Sequence, residues 1–285
     1  MGGCIVNIIL LGRRAENMRI IYLRTKNLLR RYYSAHPGNL LVKLIKNYLI
    51  WNNRWLLSVV LRYMPIVDYI KAIPDHINLK IVEIGSNSQG IGFYLKWRVM
   101  GLDLLKNECG LARYGEYLDF VQGDATSLPF KDNSFDIIVS VDMLEHLDDS
   151  QRERAISEMV RVSKRWVILA LPFKGEPEKY EKKLNDLFLK KYGKNNPALE
   201  EHKLPDYENF LKMLKEKAAL KSKKTNLIVT NNLNLKWWYL AQYLETIPVI
   251  DFVHRILFSP LFYVFKYMNQ SPCYRKIIFM EIVNN

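Results

Sequence analysis

A chain of 285 residues, 49% hydrophobic and 25% charged, has an ordinary globular composition, and at roughly 100 to 200 residues per domain it fits one large or two modest domains. Disordered, collagen-like and disulfide-stapled chains are excluded. The 42 Lys+Arg against 29 Asp+Glu give a formal charge of +13, which asks for an acidic partner such as nucleic acid, anionic lipid or a phosphorylated substrate.

That excess is unevenly spread. Residues 1–80 hold 13 basic side chains and three acids, a net +10, which leaves only +3 for the rest of the chain. Cys4, Cys109 and Cys273 are odd in number and have no C-x-x-C spacing, so neither a disulfide framework nor a thiolate zinc site is indicated. A cytoplasmic location is expected. The apolar start, residues 1–12, is followed rather than preceded by Arg13-Arg14, unlike a signal peptide. The most apolar late stretch, 246–268, is broken by Asp251, Arg255 and Lys266 and by two prolines, so no membrane span is expected.

From residue 18 to 73 apolar and aromatic residues recur at spacings of three and four (Leu40, Leu41, Leu44, Ile45, Tyr48) with Lys and Arg between them, the helical period. This predicts a basic, amphipathic helical region, residues 1–75. Its plain reading is helices packed on the body of the protein with solvated cations. Its sharper reading is peripheral contact with an anionic membrane surface or an anionic substrate. Beyond Pro74 short β-branched runs alternate with polar or helical stretches, the pattern of a parallel sheet with crossover helices over 76–285. Strands are predicted at 79–84, 99–102, 119–122, 135–139 and 166–171. A helix over 150–163 has Asp148, Asp149 and Ser150 as candidate caps. The charged run 174–224 predicts a helical insertion or lid, 226–230 a sixth strand, 236–268 an aromatic-rich helical stretch, and 274–283 a last strand.

The strongest local signal is Ile81-Val82-Glu83-Ile84-Gly85-Ser86-Asn87-Ser88-Gln89-Gly90, a buried strand turning through small residues into a helix. Gly and Asn tolerate positive φ and let a ligand approach the backbone. The same stretch nearly fits a dinucleotide fingerprint, with Asp103 at the appropriate distance. Acids then recur at successive strand ends: Glu83, Asp103, Asp124, and Asp142 with Glu145-His146. Ligands of open α/β sheets bind outside the carboxyl ends of the strands. A pyrophosphate is poorly served by so many carboxylates, whereas a cationic nucleoside is well served.

Two further stretches, Gly123-Asp124-Ala125-Thr126-Ser127-Leu128-Pro129-Phe130 and Val139-Ser140-Val141-Asp142-Met143-Leu144-Glu145-His146-Leu147, complete a pattern over about residues 79–172. It resembles the class I S-adenosylmethionine-dependent methyltransferases, in the small-molecule, methyltransferase type 11-like branch. The resemblance implies an α/β Rossmann-like sheet of seven strands with the last antiparallel, carrying a basic helical N-terminal extension and helical insertions after strands 5 and 6. It implies S-adenosyl-L-methionine as cofactor and methylation of a small-molecule, lipid or glycan-type acceptor. Carried over by position, Glu83, Gly85, Ser86 and Asn87 shape the methionine pocket. Asp103 and Leu104 lie at the ribose, Asp124 and Ala125 hold adenine, and Val141 sits beside the cofactor. Asn87 departs from the glycine that the family prefers. Asp136 is expected to fix structure rather than touch ligand.

Glu145 and His146 are the candidate catalytic pair, His146 as a base near the acceptor. They equally suit a structural role at the exit of the fourth strand. Asp142, Glu145 and His146 also stand at i, i+3 and i+4, which on a helical turn places three ligand atoms on one face, with His202 a fourth. No metal is nevertheless expected. Two other functional classes stay open on residues alone: a nicotinamide-dependent oxidoreductase resting on Gly85, Gly90 and Asp103, and a non-catalytic binding protein working through its basic N-terminal region. Nucleic acid is disfavoured as partner, since acids flank the site and no RNA-binding module is visible.

Overall fold

The computed structural model describes residues 57–86, 90–104, 117–197, 199–220, 224–245 and 269–283. Most of the predicted N-terminal helical region, Asn87, and the later part of the aromatic-rich stretch lie outside the described residues. The elements in chain order are α1 (Leu57–Ala72), β1 (Ile81–Ile84), a short α2 (Gly92–Leu95), β2 (Val99–Asp103), β3 (Leu118–Gln122), β4 (Phe135–Val141), α3 (Asp149–Val162) and β5 (Ser163–Pro172). There follow α4 (Glu176–Tyr192), α5 (Tyr207–Leu220), β6 (Lys224–Asn234), α6 (Leu235–Glu245) and β7 (Cys273–Val283). Among these residues no helix is long and apolar enough to cross a membrane.

The strands form one seven-stranded sheet in the order β3-β2-β1-β4-β5-β7-β6. β1 to β5 run parallel, and β7 lies antiparallel between β5 and β6. The central strands are apolar runs because both of their faces are covered: all four residues of β1 are buried, as are Ile137 to Val141 of β4. One face packs against α1, α2 and α6, and the other against α3 and α5. This is the Rossmann-like sheet with an antiparallel last strand that the resemblance implies. β1 and β4 are neighbours whose onward connections run to opposite sides of the sheet, which makes their carboxyl ends the switch point where such folds bind ligands.

Residues 57–72 pack as part of the body. Val59, Val60, Tyr63, Ile66, Val67 and Ile70 are buried at helical spacing against the sheet, and each fully buried aliphatic is worth about 1.5–3 kcal/mol. Pro65 stands inside this helix. Its missing N–H leaves the Leu61 carbonyl without its intrahelical donor, and the Asn232 side-chain amide donates to that carbonyl at 2.9 Å. A polar residue of β6 thereby completes α1.

At the start of α3, Asp148 accepts from the Gln151 backbone N–H (2.8 Å), and the Gln151 side chain accepts in return from the Asp148 N–H (3.1 Å), a reciprocal cap. Asp136 accepts from the Lys80 backbone N–H at 2.8 Å, tying the start of β4 to the strand beside it. β1 is shorter than expected, beginning at Ile81, while the other strands are longer than periodicity predicts. β5 begins at Ser163 and β6 spans 224–234, because ladder pairing with neighbours continues through polar side chains.

Candidate active site

A cleft of about 460 Å³ opens over the carboxyl ends of β1 to β4, within the size range of small-molecule sites. It is lined by Gly85, Ser86, Leu102, Asp103, Leu104, Gly123, Asp124, Ala125 and Val141, together with Arg62, Tyr63, Asp142, Met143, His146, Leu147 and Glu201. Of the residues singled out in the sequence, Gly85, Ser86, Asp103, Leu104, Asp124, Ala125, Val141 and His146 meet on this one cleft. Glu83 and Glu145 are buried behind it.

The β1 exit explains itself locally. Gly85 has φ +76°, and a Cβ there would lie 2.4 Å from Met143 Cγ, so the turn needs glycine both for its conformation and for room. Glu83 is fully buried and accepts from the Tyr63 hydroxyl (2.7 Å) and from the Ile91 backbone N–H. It braces the loop from below instead of reaching the ligand space. Burial pushes its carboxyl up to about 7, against the opposing pull of the Ile91 and Tyr63 bonds. Ser86 Oγ is buried on the cleft wall without a partner among the described residues. Asp124 caps its own turn through the Thr126 N–H at 2.8 Å. The loop that follows is clamped by Arg161, which donates to the Phe130 and Leu128 carbonyls.

Asp142 corrects the expectation that it shares a helical turn with Glu145 and His146. It ends β4 with φ +48°, and its carboxylate turns to two guanidinium groups. Arg275 donates from Nε to Oδ1 (2.9 Å) and from Nη2 to Oδ2 (2.7 Å), and Arg62 donates from Nη1 to Oδ2 (2.9 Å). Burial alone raises its pKa, but the two arginines outweigh burial and hold it below the usual carboxylate range. Arg62, counted in the sequence among solvated cations of the basic region, is thus a structural partner on the cleft wall.

Beyond Asp142 a turn of 3-10 helix, Leu144–His146, presents the Glu-His pair. Glu145 is 1% exposed and its Oε2 has no partner among the described residues. Burial, then the Asp142 charge, drives its carboxyl well above the ordinary value. His146 lines the cleft, and burial followed by His202 lowers its pKa, which keeps the imidazole neutral near pH 7. His202 comes from the insertion after β5, and its ring meets His146 edge to face with centroids 4.8 Å apart. The buried Arg152 holds this junction by donating to the carbonyls of Leu144 (3.0 Å), Leu147 (2.6 Å) and Lys203 (2.5 Å). The Lys203 N–H donates to the Glu145 carbonyl at 2.6 Å.

The sequence reading missed Arg62, Tyr63, Arg152 and Arg275, and also Glu181, whose Oε1 accepts from His202 Nδ1 at 3.0 Å. All but Arg152 reach the site from distant segments, and nothing in the local pattern marks them.

The methyltransferase-domain family matches residues 82–171, the span that supplies β1 to β5 and most of the cleft. Residues 82–171 are a class I methyltransferase domain. The methyl donor of such domains is S-adenosylmethionine. Among similar curated proteins, a demethylmenaquinone methyltransferase of Renibacterium salmoninarum is 32% identical over 106 residues, 35% of this chain and 41% of its own length. A norajmaline N-methyltransferase of Rauvolfia serpentina is 42% identical over 48 residues, 17% of this chain and 16% of its own. The chain therefore spans less than half the length of these curated relatives. A solved SAM-dependent methyltransferase of Thermotoga maritima, described as a possible histamine N-methyltransferase, superposes with a TM-score of 0.52 at 17% identity. That superposition covers 84% of this chain and 96% of the other, and it shares the fold of the methyltransferase domain.

The cleft fits the donor. S-adenosylmethionine carries a sulfonium, an ammonium group, a ribose diol and an adenine amine. The wall offers the carboxylates of Asp103 and Asp124, the buried Ser86 hydroxyl, and a glycine turn with no side chain to fill the space.

Proposed function

We propose that the chain is an S-adenosylmethionine-dependent methyltransferase acting on a small-molecule or lipid-type acceptor. The observation that carries this reading is the meeting of Asp103, Asp124 and the positive-φ Gly85 on one cleft over adjoining strand ends. Asp103 takes the ribose hydroxyls, Asp124 with the Ala125 backbone takes adenine, and Gly85 with Ser86 borders the methionine part. Leu104 and Val141 flank the nucleoside. The bound donor supplies a methyl group already activated by its sulfonium. The protein's contribution is alignment, worth about 7–11 kcal/mol in well-oriented systems.

The acceptor enters beside Met143, Leu147, Arg62 and Glu201. Its apolar part rests on Met143 and Leu147. His146, held neutral, takes the proton of an acceptor hydroxyl or amine, and Glu145 stands behind it as the second acidic group of the acceptor side. Residues 18–73 carry the excess positive charge, and we place a lipid-type acceptor at an anionic membrane surface on that account. A cytoplasmic enzyme with peripheral membrane contact fits this reading.

Two measurements test it. Calorimetry with S-adenosylmethionine gives binding that Asp103→Ala weakens at least tenfold; equal binding by both proteins sinks the cofactor assignment. Incubation with methyl-labelled donor and a cell extract split into lipid, small-molecule and RNA fractions puts label in one of the first two. Label in RNA alone overturns the acceptor class.

A further inference from the structure

Glu145, His146 and His202 each offer one ligand atom, and these atoms lie within 4.8 Å of one another. Two imidazoles and one carboxylate are a donor set for a divalent transition metal, and three protein ligands are what open, catalytic sites use. A tetrahedral zinc ion with bonds of about 2.0–2.2 Å places its ligand atoms roughly 3.4 Å apart, so rotations of about an ångström close the set. The geometry points to a divalent-metal site at Glu145, His146 and His202, on the acceptor side of the cleft.

Three features distinguish this cluster from an ordinary buried polar contact. The first is Glu145 Oε2, buried with no partner among the described residues and beside two imidazoles; an orphaned buried oxygen calls for a partner. The second is the support behind His202. Its Nδ1 donates to Glu181 Oε1 at 3.0 Å, and Glu181 is itself held by the Tyr274 hydroxyl at 2.7 Å. A carboxylate on one ring nitrogen fixes the tautomer and leaves Nε2 with its lone pair, the arrangement found behind metal-bound histidines. The third is rigidity: the two segments that bring the ligands are joined by the Lys203 N–H to Glu145 carbonyl bond, and both are gripped by Arg152. Asp142, bound by Arg275 and Arg62, is not part of the set.

His146 is also a wall of the cleft, so the position left open on the ion is reached from the acceptor space. There it holds an acceptor oxygen and lowers that hydroxyl's pKa, the proton passing to solvent, in place of the imidazole that otherwise takes it. Only this last role rests on the methyl-transfer reading; the binding itself does not.

The test uses the full chain without an affinity tag, stripped with chelator and titrated with Zn²⁺ by calorimetry and with Co²⁺ by visible absorption. The expected result is one ion per chain and a tetrahedral Co²⁺ spectrum that Zn²⁺ abolishes. His202→Ala and Glu145→Gln lower Zn²⁺ affinity at least 100-fold, and Glu181→Gln lowers it about 10- to 100-fold. His76→Ala, outside the cluster, leaves it unchanged. Circular dichroism melts accompany each variant, and Glu145→Gln keeps the shape of the side chain should His202→Ala fail to fold. Absence of stoichiometric binding, or binding that Glu145→Gln and Glu181→Gln leave intact, overturns the site. Donor binding measured on the same samples separates the two proposals: a chain that binds S-adenosylmethionine but no metal refutes the metal site alone.

Discussion

Arg275 of β7 forks around the Asp142 carboxylate at the end of β4, with two hydrogen bonds of 2.9 and 2.7 Å across 133 residues of sequence. Asp142 stands on the cleft wall between Val141 and Met143, and it sits at φ +48°, a conformation that needs its surroundings to hold it. Removing Arg275 takes two of the three guanidinium bonds from the Asp142 carboxylate and leaves it Arg62 alone. Arg275→Met is expected to cost about 1.5–3 kcal/mol of unfolding free energy. Arg275→Lys recovers only part, because an ammonium cannot match both carboxylate oxygens. Urea melts of the three proteins check this, and a loss under about 1 kcal/mol for Arg275→Met contradicts it.

That pair also marks the boundary of what the sequence makes legible. Strands β1 and β4 are legible because burial on both faces forces largely apolar runs, and the acids Asp103, Asp124 and Asp142 stand out because each lies at or just past the carboxyl end of a strand. Spacing alone places Asp142 on one helical turn with Glu145 and His146. The structure turns it away because a buried carboxylate needs a counter-charge, and Arg62 and Arg275 supply one from segments whose own patterns read as a basic helix and an ordinary last strand. His202 could be named from the sequence, but not Glu181, which fixes its ring from within a run of surface lysines. Pairings between distant segments leave no periodic trace.

The bond from Asn232 to the Leu61 carbonyl compensates for Pro65. Asn232→Leu removes this donor and the acceptor for Arg275 Nη1 (3.0 Å), and an unpaired buried polar group costs about 1–3 kcal/mol. In the Pro65→Ala background the helix regains its own N–H donor for Leu61, so the same substitution costs less. A double-mutant cycle by urea denaturation reads the difference; strict additivity would show that the two positions are not coupled.

Glu83 gives a pH signature. Its carboxyl ordinarily titrates at 4.5 and is pushed up to about 7 in the folded chain by burial. Between those values the folded state binds the extra proton, so its contribution is fully present below about pH 4.5 and is lost as pH rises through 7, a change on the order of 3 kcal/mol. Glu83→Gln is neutral throughout and lacks this slope. Denaturant melts from pH 5 to 8 compare the two proteins, and parallel pH profiles would remove Glu83 as the source.

Gly85→Ala separates conformation from room at the cleft's floor. The added Cβ would lie 2.4 Å from Met143 Cγ and 2.7 Å from Met143 Cβ, and the backbone there has φ +76°. The conformational strain alone costs about 1–3 kcal/mol for a residue with a side chain. The clash is additional, and its relief displaces Met143 into the ligand space that both residues border. We expect the variant to lose S-adenosylmethionine binding by tenfold or more while remaining folded. Met143→Ala removes the obstructing atom Cγ but leaves Cβ and the positive φ. The double variant should therefore regain part of the affinity and little of the stability, by calorimetry and thermal melting respectively. Full recovery of both would mean that glycine is required at this turn for space alone.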